Sequence, residues 1–262
     1  MTKTAAIKKQ RAFLFFWTGQ FLYIGKGIDT KIHDHHAIQI AVSFDDPIEI
    51  KFADSSLKSK AVIIHSDQPH ECKTGDNTFM LLNIAPESKI GIVIKKNFLL
   101  NKKIYELPGE QTLALLTGLK EELKTKDKSK IVNITQKFLA TLFAIEKIQS
   151  LDERIVKTQQ LINSEINVPL TINYLAANVL ISPGRLIHLF TEQVGIPIRK
   201  YILWTKLLTA VHALINTTNF TQAALEGGFS DAPHFNKTFK RMFGLNPSAL
   251  LKNSQIVQVY HQ

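Results

Sequence analysis

One cysteine among 262 residues, Cys72, leaves this chain without an internal disulfide, so burial and hydrogen bonding alone must hold it, as suits a reducing compartment. Long apolar runs are also missing. No stretch approaches the 18 or more apolar residues that a membrane span needs. Near the start, Lys8, Lys9 and Arg11 precede the apolar run 12–17, but Thr18-Gly19-Gln20 interrupts it and no small-residue cleavage site follows. The expectation is a cytoplasmic protein with no membrane partner. A one-sided charge block is absent too. The net charge of +10 comes from 32 Lys+Arg and 22 Asp+Glu, yet residues 151–262 hold only 10 basic and 6 acidic side chains. A basic chain favours a polyanionic partner through counterion release, but here charge does not locate the surface.

With 45% hydrophobic residues the chain can bury sizeable cores, and its length suits two domains. The most specific pattern is a repeat. Leu186, Phe190 and Gly195 recur 49 positions later as Phe235, Phe239 and Gly244, behind the helix-start signals Ser182-Pro183 and Ser230-Asp231. Apolar residues four apart share one helical face, so each copy reads as a short helix that buries one side and presents the other. A second short helix precedes each copy. Thr171 caps a first helix containing Ala176 and Ala177, and Asn219 with Gln222 makes a capping-box-like start before Ala223, Ala224 and the turn glycines Gly227-Gly228. Both units read as helix-turn-helix. Residues 198–215 join them without proline or glycine. As a helix they extend about 27 Å, near the roughly 34 Å repeat of B-DNA.

The second copy, from Gly228-Phe229-Ser230-Asp231 through His234-Phe235, Lys240-Arg241, Phe243-Gly244 and Asn246-Pro247-Ser248, resembles the AraC/XylS transcriptional regulators. That family's C-terminal domain holds two helix-turn-helix units on a long connecting helix. The first copy is similar at Leu175-Ala176-Ala177, Ser182-Pro183, Leu186, Leu189-Phe190 and Gly195. It departs at Leu180, where the family has a turn glycine, and at His188 and Thr191, where it has basic residues. The resemblance implies double-stranded DNA as partner and points to Gly184, Arg185, Ile187 and His188 in the first unit and Ala232, Pro233, Asn236 and Lys237 in the second. Asn236 suits adenine and Lys237 guanine, whereas Lys240 and Arg241 suit phosphate. The second unit should dominate sequence choice.

Residues 13–94 read differently. Short apolar runs at 21–24, 37–44, 48–52, 61–64, 79–84 and 90–94, punctuated about every ten residues, read as strands of a sandwich or barrel. The resemblance implies a cupin-like jelly roll that binds a small-molecule effector. On one strand His33, His35 and Gln39 share parity while His36 points away, and His70 follows later. The set is similar to the first cupin metal motif with glutamine in place of glutamate. Loss of that carboxylate argues against a divalent metal, so no metal and no cofactor is expected and His33, His35, Gln39 and His70 are candidate effector contacts. Between these regions, residues 111–124 and 131–148 read as helices. The second has a coiled-coil-like stripe of Ile131, Ile134, Phe138, Leu142 and Ile145, which serves either a homodimer or the chain's own barrel.

The expected architecture is α+β: a cupin-like effector domain at 1–107, a helical dimerisation layer at 108–150, an all-α double helix-turn-helix domain at 151–252 and a tail at 253–262. The expected function is a ligand-controlled, sequence-specific transcriptional regulator with no catalytic residue, for which RNA polymerase is a further partner. A metal-dependent cupin enzyme with an accessory helical domain is the alternative, and a barrel that only dimerises a DNA-binding protein is another.

Overall fold

The computed structural model describes residues 12–27, 29–143, 151–248 and 254–260. The basic residues Lys8, Lys9 and Arg11, and Ile145 with the rest of 144–148, lie outside them. Eight strands come first: β1 (Ala12–Trp17), β2 (Gln20–Lys26), β3 (Ile38–Ser43), β4 (Ile48–Lys51), β5 (Ser56–Ser59), β6 (Ala61–Ile64), β7 (Glu71–Lys73) and β8 (Thr78–Ile84). Then follow α1 (Lys89–Asn97), β9 (Ile104–Glu106), α2 (Gly109–Thr125) and α3 (Lys128–Leu142). The C-terminal part comprises α4 (Glu153–Ser164), α5 (Ile172–Asn178), α6 (Pro183–Val194), α7 (Ile198–Thr217), α8 (Phe220–Glu226), α9 (Ala232–Phe243) and finally β10 (Ser254–Val259). The fold is α+β. Among the described residues no helix is long and apolar enough to cross a membrane.

The strands form a seven-stranded sheet, β10-β1-β2-β8-β3-β6-β9, and a three-stranded sheet, β5-β4-β7. Every residue of β1 is buried, which period-2 alternation explains. Phe13, Phe15 and Trp17 face one way, into a core with Leu115, Leu119, Ile131, Phe138 and Leu139 of α2 and α3. Leu14 and Phe16 face the other way, into a core that continues through Ile50 and Cys72 to Phe239, Phe243 and Trp204 of the helical part. The sheet therefore shares one apolar core with α2 and α3 and another with the C-terminal helices.

The structure bears on three expectations here. Residues 90–94, read as a strand, lie in α1, because the Ser88 hydroxyl accepts from the Gly91 N–H and starts a helix whose buried side carries Ile94 while Ile92 is exposed. A five-residue apolar run does not by itself distinguish the two states. Of the two uses left open for the α3 stripe, its described part supports packing within the chain: Ile131 and Phe138 are buried against the sheet, and Ile134 lies against Gly118 of α2. Finally, the segment read as a tail holds β10, which pairs parallel with β1, Phe13 opposite Ile256 and Phe16 opposite Val259. The chain's end thus returns to its first strand.

Candidate nucleic-acid interface

The first unit is α5-turn-α6 and the second α8-turn-α9, with α7 between them. Local chemistry sets each boundary. Thr171 Oγ1 accepts from the Tyr174 N–H, and Ser182 Oγ from the Arg185 N–H ahead of Pro183 in the first turn of α6. Asn219 Oδ1 accepts from the Thr221 and Gln222 N–H groups, and Asp231 Oδ1 accepts from the His234 N–H at 2.7 Å. The Gln222 amide turns to Glu226 (2.8 Å), so the capping box is only half made. Hydrogen bonding from the His234 N–H, and then from the Ser230 hydroxyl, holds the Asp231 carboxyl below its usual range. Gly195 and Gly244, both left-handed, end α6 and α9.

Each recognition helix buries one face and leaves the other open. In α6, Leu186, Leu189 and Phe190 are buried while Gly184, Arg185, Ile187 and His188 are exposed. In α9, Phe235, Phe239, Met242 and Phe243 are buried; Pro233, Lys237, Lys240 and Arg241 are exposed, and Ala232 and Asn236 are half-buried. No carboxylate among the described residues pairs with Lys237, Lys240 or Arg241. The basic edge of α9 is available to an anion. In the first turn, Leu180 takes φ +55° where the second has Gly228 at φ +71°, and its side chain is 91% exposed. The turn is kept without glycine, at a cost in backbone strain.

Both recognition helices end on the sheet domain. The Lys89 N–H donates to the Gly195 carbonyl (2.6 Å), the His36 N–H to the Arg241 carbonyl (2.8 Å) and the Asn83 amide to the Phe243 carbonyl (3.4 Å). Rings close the seam, with Phe21 and Phe243 centroids 5.0 Å apart and Trp204 and Phe243 5.5 Å apart. Beside it the Glu87 carboxylate accepts from His36 and from the Lys200 ammonium (2.8 Å). Burial pushes the Glu87 carboxyl up, but the hydrogen bonds from His36 and Lys200 outweigh it and hold its pKa at about 2. Nothing local in the sequence marks this contact, since the hydrogen bonds across it join residues over a hundred positions apart. Helix α4, packed against α5, α6 and α7, also went unread.

The candidate effector residues do come together. His33 and His35 precede β3 rather than share a strand with Gln39, because His33 instead makes an isolated backbone bridge with His70, and one ring nitrogen from each of His33, His35 and His70 lies within 4.8 Å of the others. His35 Nε2 lies 2.7 Å from Gln39 Oε1, and the Gln39 amide reaches Cys72 Sγ at 3.7 Å. Burial lowers the His35 pKa and pushes that of His70 down to about 3, so both rings are neutral at physiological pH. Burial likewise raises the Cys72 thiol to about 12, an inert core group. A cavity of about 340 Å³ lies elsewhere, lined by Phe13, Ile24, Gly25, Thr78, Leu123, Lys124 and Lys126.

Residues 175–253 match the family model described as "Helix-turn-helix domain". This region is an AraC-type helix-turn-helix domain. The chain is 24% identical over 153 residues to the "Msm operon regulatory protein" of Streptococcus mutans, covering 55% of each. It is 21% identical over 224 residues to the "Probable transcriptional regulator LumQ" of Photobacterium leiognathi, covering 82% of this chain and 90% of that one. The match thus spans about half the Msm protein but most of LumQ. ToxT from Vibrio cholerae is similar in structure over 94% of this chain and 98% of its own, at 13% identity and a TM-score of 0.45. The two curated relatives are both named as regulators.

Proposed function

We propose that the whole chain is a cytoplasmic, sequence-specific transcriptional regulator that places α6 and α9 in neighbouring major grooves of double-stranded DNA. One observation carries this reading: two capped helices on one 20-residue strut, each with an apolar inner face and an open outer face. At 1.5 Å per residue α7 extends about 30 Å, close to the groove repeat. Asn236 and Lys237 are the base readers, with Gly184, Arg185, Ile187, His188, Ala232 and Pro233 shaping the fit. Lys240 and Arg241 hold phosphate. Control by a small organic effector fits the cavity beside Leu123, Lys124 and Lys126 better than the histidine cluster, because an apolar wall with two ammonium groups suits an amphipathic anion. A homodimer and contact with RNA polymerase belong to the same reading.

The test begins by selecting bound sites from random duplexes with the full-length chain. Lys237→Ala and Asn236→Ala are expected to relax base preference at defined positions, by about 1–3 kcal/mol each. Lys240→Ala is expected to weaken all sequences alike and to lower the salt slope by about one. Uniform loss for all three substitutions would defeat the assignment.

A further inference from the structure

The three histidines of the sheet domain are wired alike. Each ring's Nδ1 lies against a backbone carbonyl two residues away: His33 to Lys31 (2.9 Å), His35 to Ala37 (2.9 Å) and His70 to Gln68 (2.7 Å). A carbonyl oxygen only accepts, so Nδ1 is the donor on all three rings and Nε2 is the nitrogen left to offer a lone pair. Carbonyls used in this way fix the tautomer and orientation of metal-binding imidazoles. Two further features bear on these lone pairs. His70 Nε2 is fully buried with no hydrogen-bond partner. At His35, Nε2 and Gln39 Oε1 bring two acceptors face to face at 2.7 Å unless the amide turns over. A cation satisfies both.

We propose that His33, His35 and His70 bind one transition-metal ion of the zinc class through Nε2, with Gln39 Oε1 or water completing the set, and that its uptake shifts the end of α9. Glutamine in place of a carboxylate does not disqualify the site. It changes the selection: three neutral imidazoles favour zinc, cobalt, nickel or copper over magnesium and calcium. His33, the least buried of the three, lies on the side of entry.

The link to α9 is steric. Bonds of about 2.0–2.1 Å to a tetrahedral ion put ligand nitrogens roughly 3.4 Å apart, so uptake fixes at that spacing three nitrogens that now lie within 4.8 Å of one another. Gly244, the left-handed residue that ends α9, rests on those rings. A Cβ there would meet His35 Cδ2 at 2.7 Å and His33 Cδ2 at 2.8 Å. His36, next in the chain, holds the Arg241 carbonyl. Movement of the rings therefore reaches the last turn of the second reader, and its consequence for DNA rests on the regulator reading above.

The experiment uses the tag-free full-length chain, washed with chelator and titrated with CoCl₂. One equivalent is expected to bring up visible ligand-field bands, which ZnCl₂ then abolishes, and the thermal midpoint is expected to rise as for any ligand of the native state. His33→Ala and His70→Ala are expected to lose the bands. His33 is half-exposed, so its variant keeps the test alive should the buried His70 substitution not fold. A folded chain without bands, or bands that survive both substitutions, overturns the metal site. Amide hydrogen exchange at Lys240 to Gly244 is expected to change on saturation with ZnCl₂, and unchanged exchange overturns the coupling. Neither readout uses DNA, so failure here cannot be confused with failure of the regulator reading.

Discussion

At the scale of single residues, Leu180 shows what the two units share and where they differ. An L-residue in the left-handed region brings Cβ against the following carbonyl, at about 1–2 kcal/mol, and an exposed leucine regains none of it by burial. Leu180→Gly is therefore expected to raise stability, discounted by glycine's greater freedom in the unfolded chain to a net of roughly 0.5–1 kcal/mol. Thermal unfolding monitored by circular dichroism checks this; a lower midpoint would mean that the leucine makes an apolar contact in the native protein. The departure from the glycine pattern was legible in the sequence because a turn position is a local matter. Its outcome was not. Strain and an alternative turn geometry are equally compatible with one leucine, and only the φ angle separates them. The same holds for His35 and Gln39, whose shared parity was readable while their ring-to-amide contact was not.

Elements whose boundaries depend on local chemistry were largely readable. Thr171, Ser182, Asn219 and Asp231 each place a side-chain oxygen on an N–H two or three residues ahead, a relation that sequence spacing contains in full. β10 contains nothing of the kind, since its pairing with β1 joins residues some 240 positions apart. Six residues, Ser254–Val259, close the edge of the seven-stranded sheet and cover the backbone of Phe13 to Phe16. Ending the chain at residue 253 should bare that edge, which an unpaired β1 would offer to other chains. The expected result is a lower thermal midpoint and concentration-dependent association in light scattering. An unchanged midpoint with a monodisperse sample would show that β10 adds nothing to the edge it covers.

For the molecule as a whole, the question is whether sheet and readers act as one body or two. The sequence suggested two domains because their patterns differ, period 2 against helical spacing, and pattern says nothing about what packs on what. In the structure one apolar core passes from Phe16 and Phe21 to Phe239 and Phe243, and the ends of both recognition helices hydrogen-bond the sheet domain. Glu87 is the charged fastening of that seam, facing Lys200 across it and His36 on its own side, with Asp67 on the far nitrogen of His36. Its folded pKa, about 2, lies below the ordinary carboxylate value of 4.5. The unfolded chain thus binds the extra proton between these values, so stability from Glu87 is complete above about pH 4.5 and lost as pH falls toward 2. The side chain is 24% exposed, and hydrogen bonds to a charged group are worth about 1.5–3 kcal/mol, so screening leaves roughly 1–2 kcal/mol. Glu87→Gln is expected to remove that amount at pH 7 and to flatten the acid limb of the stability curve, with variant and parent converging near pH 2. Denaturant unfolding across that range measures it. In calorimetry the parent should melt as one transition, because breaking the seam exposes Phe243 and Phe21 together. If Glu87→Gln instead leaves one sharp transition at the parental midpoint, the ionic fastening is idle and the aromatic seam alone holds the readers to the sheet.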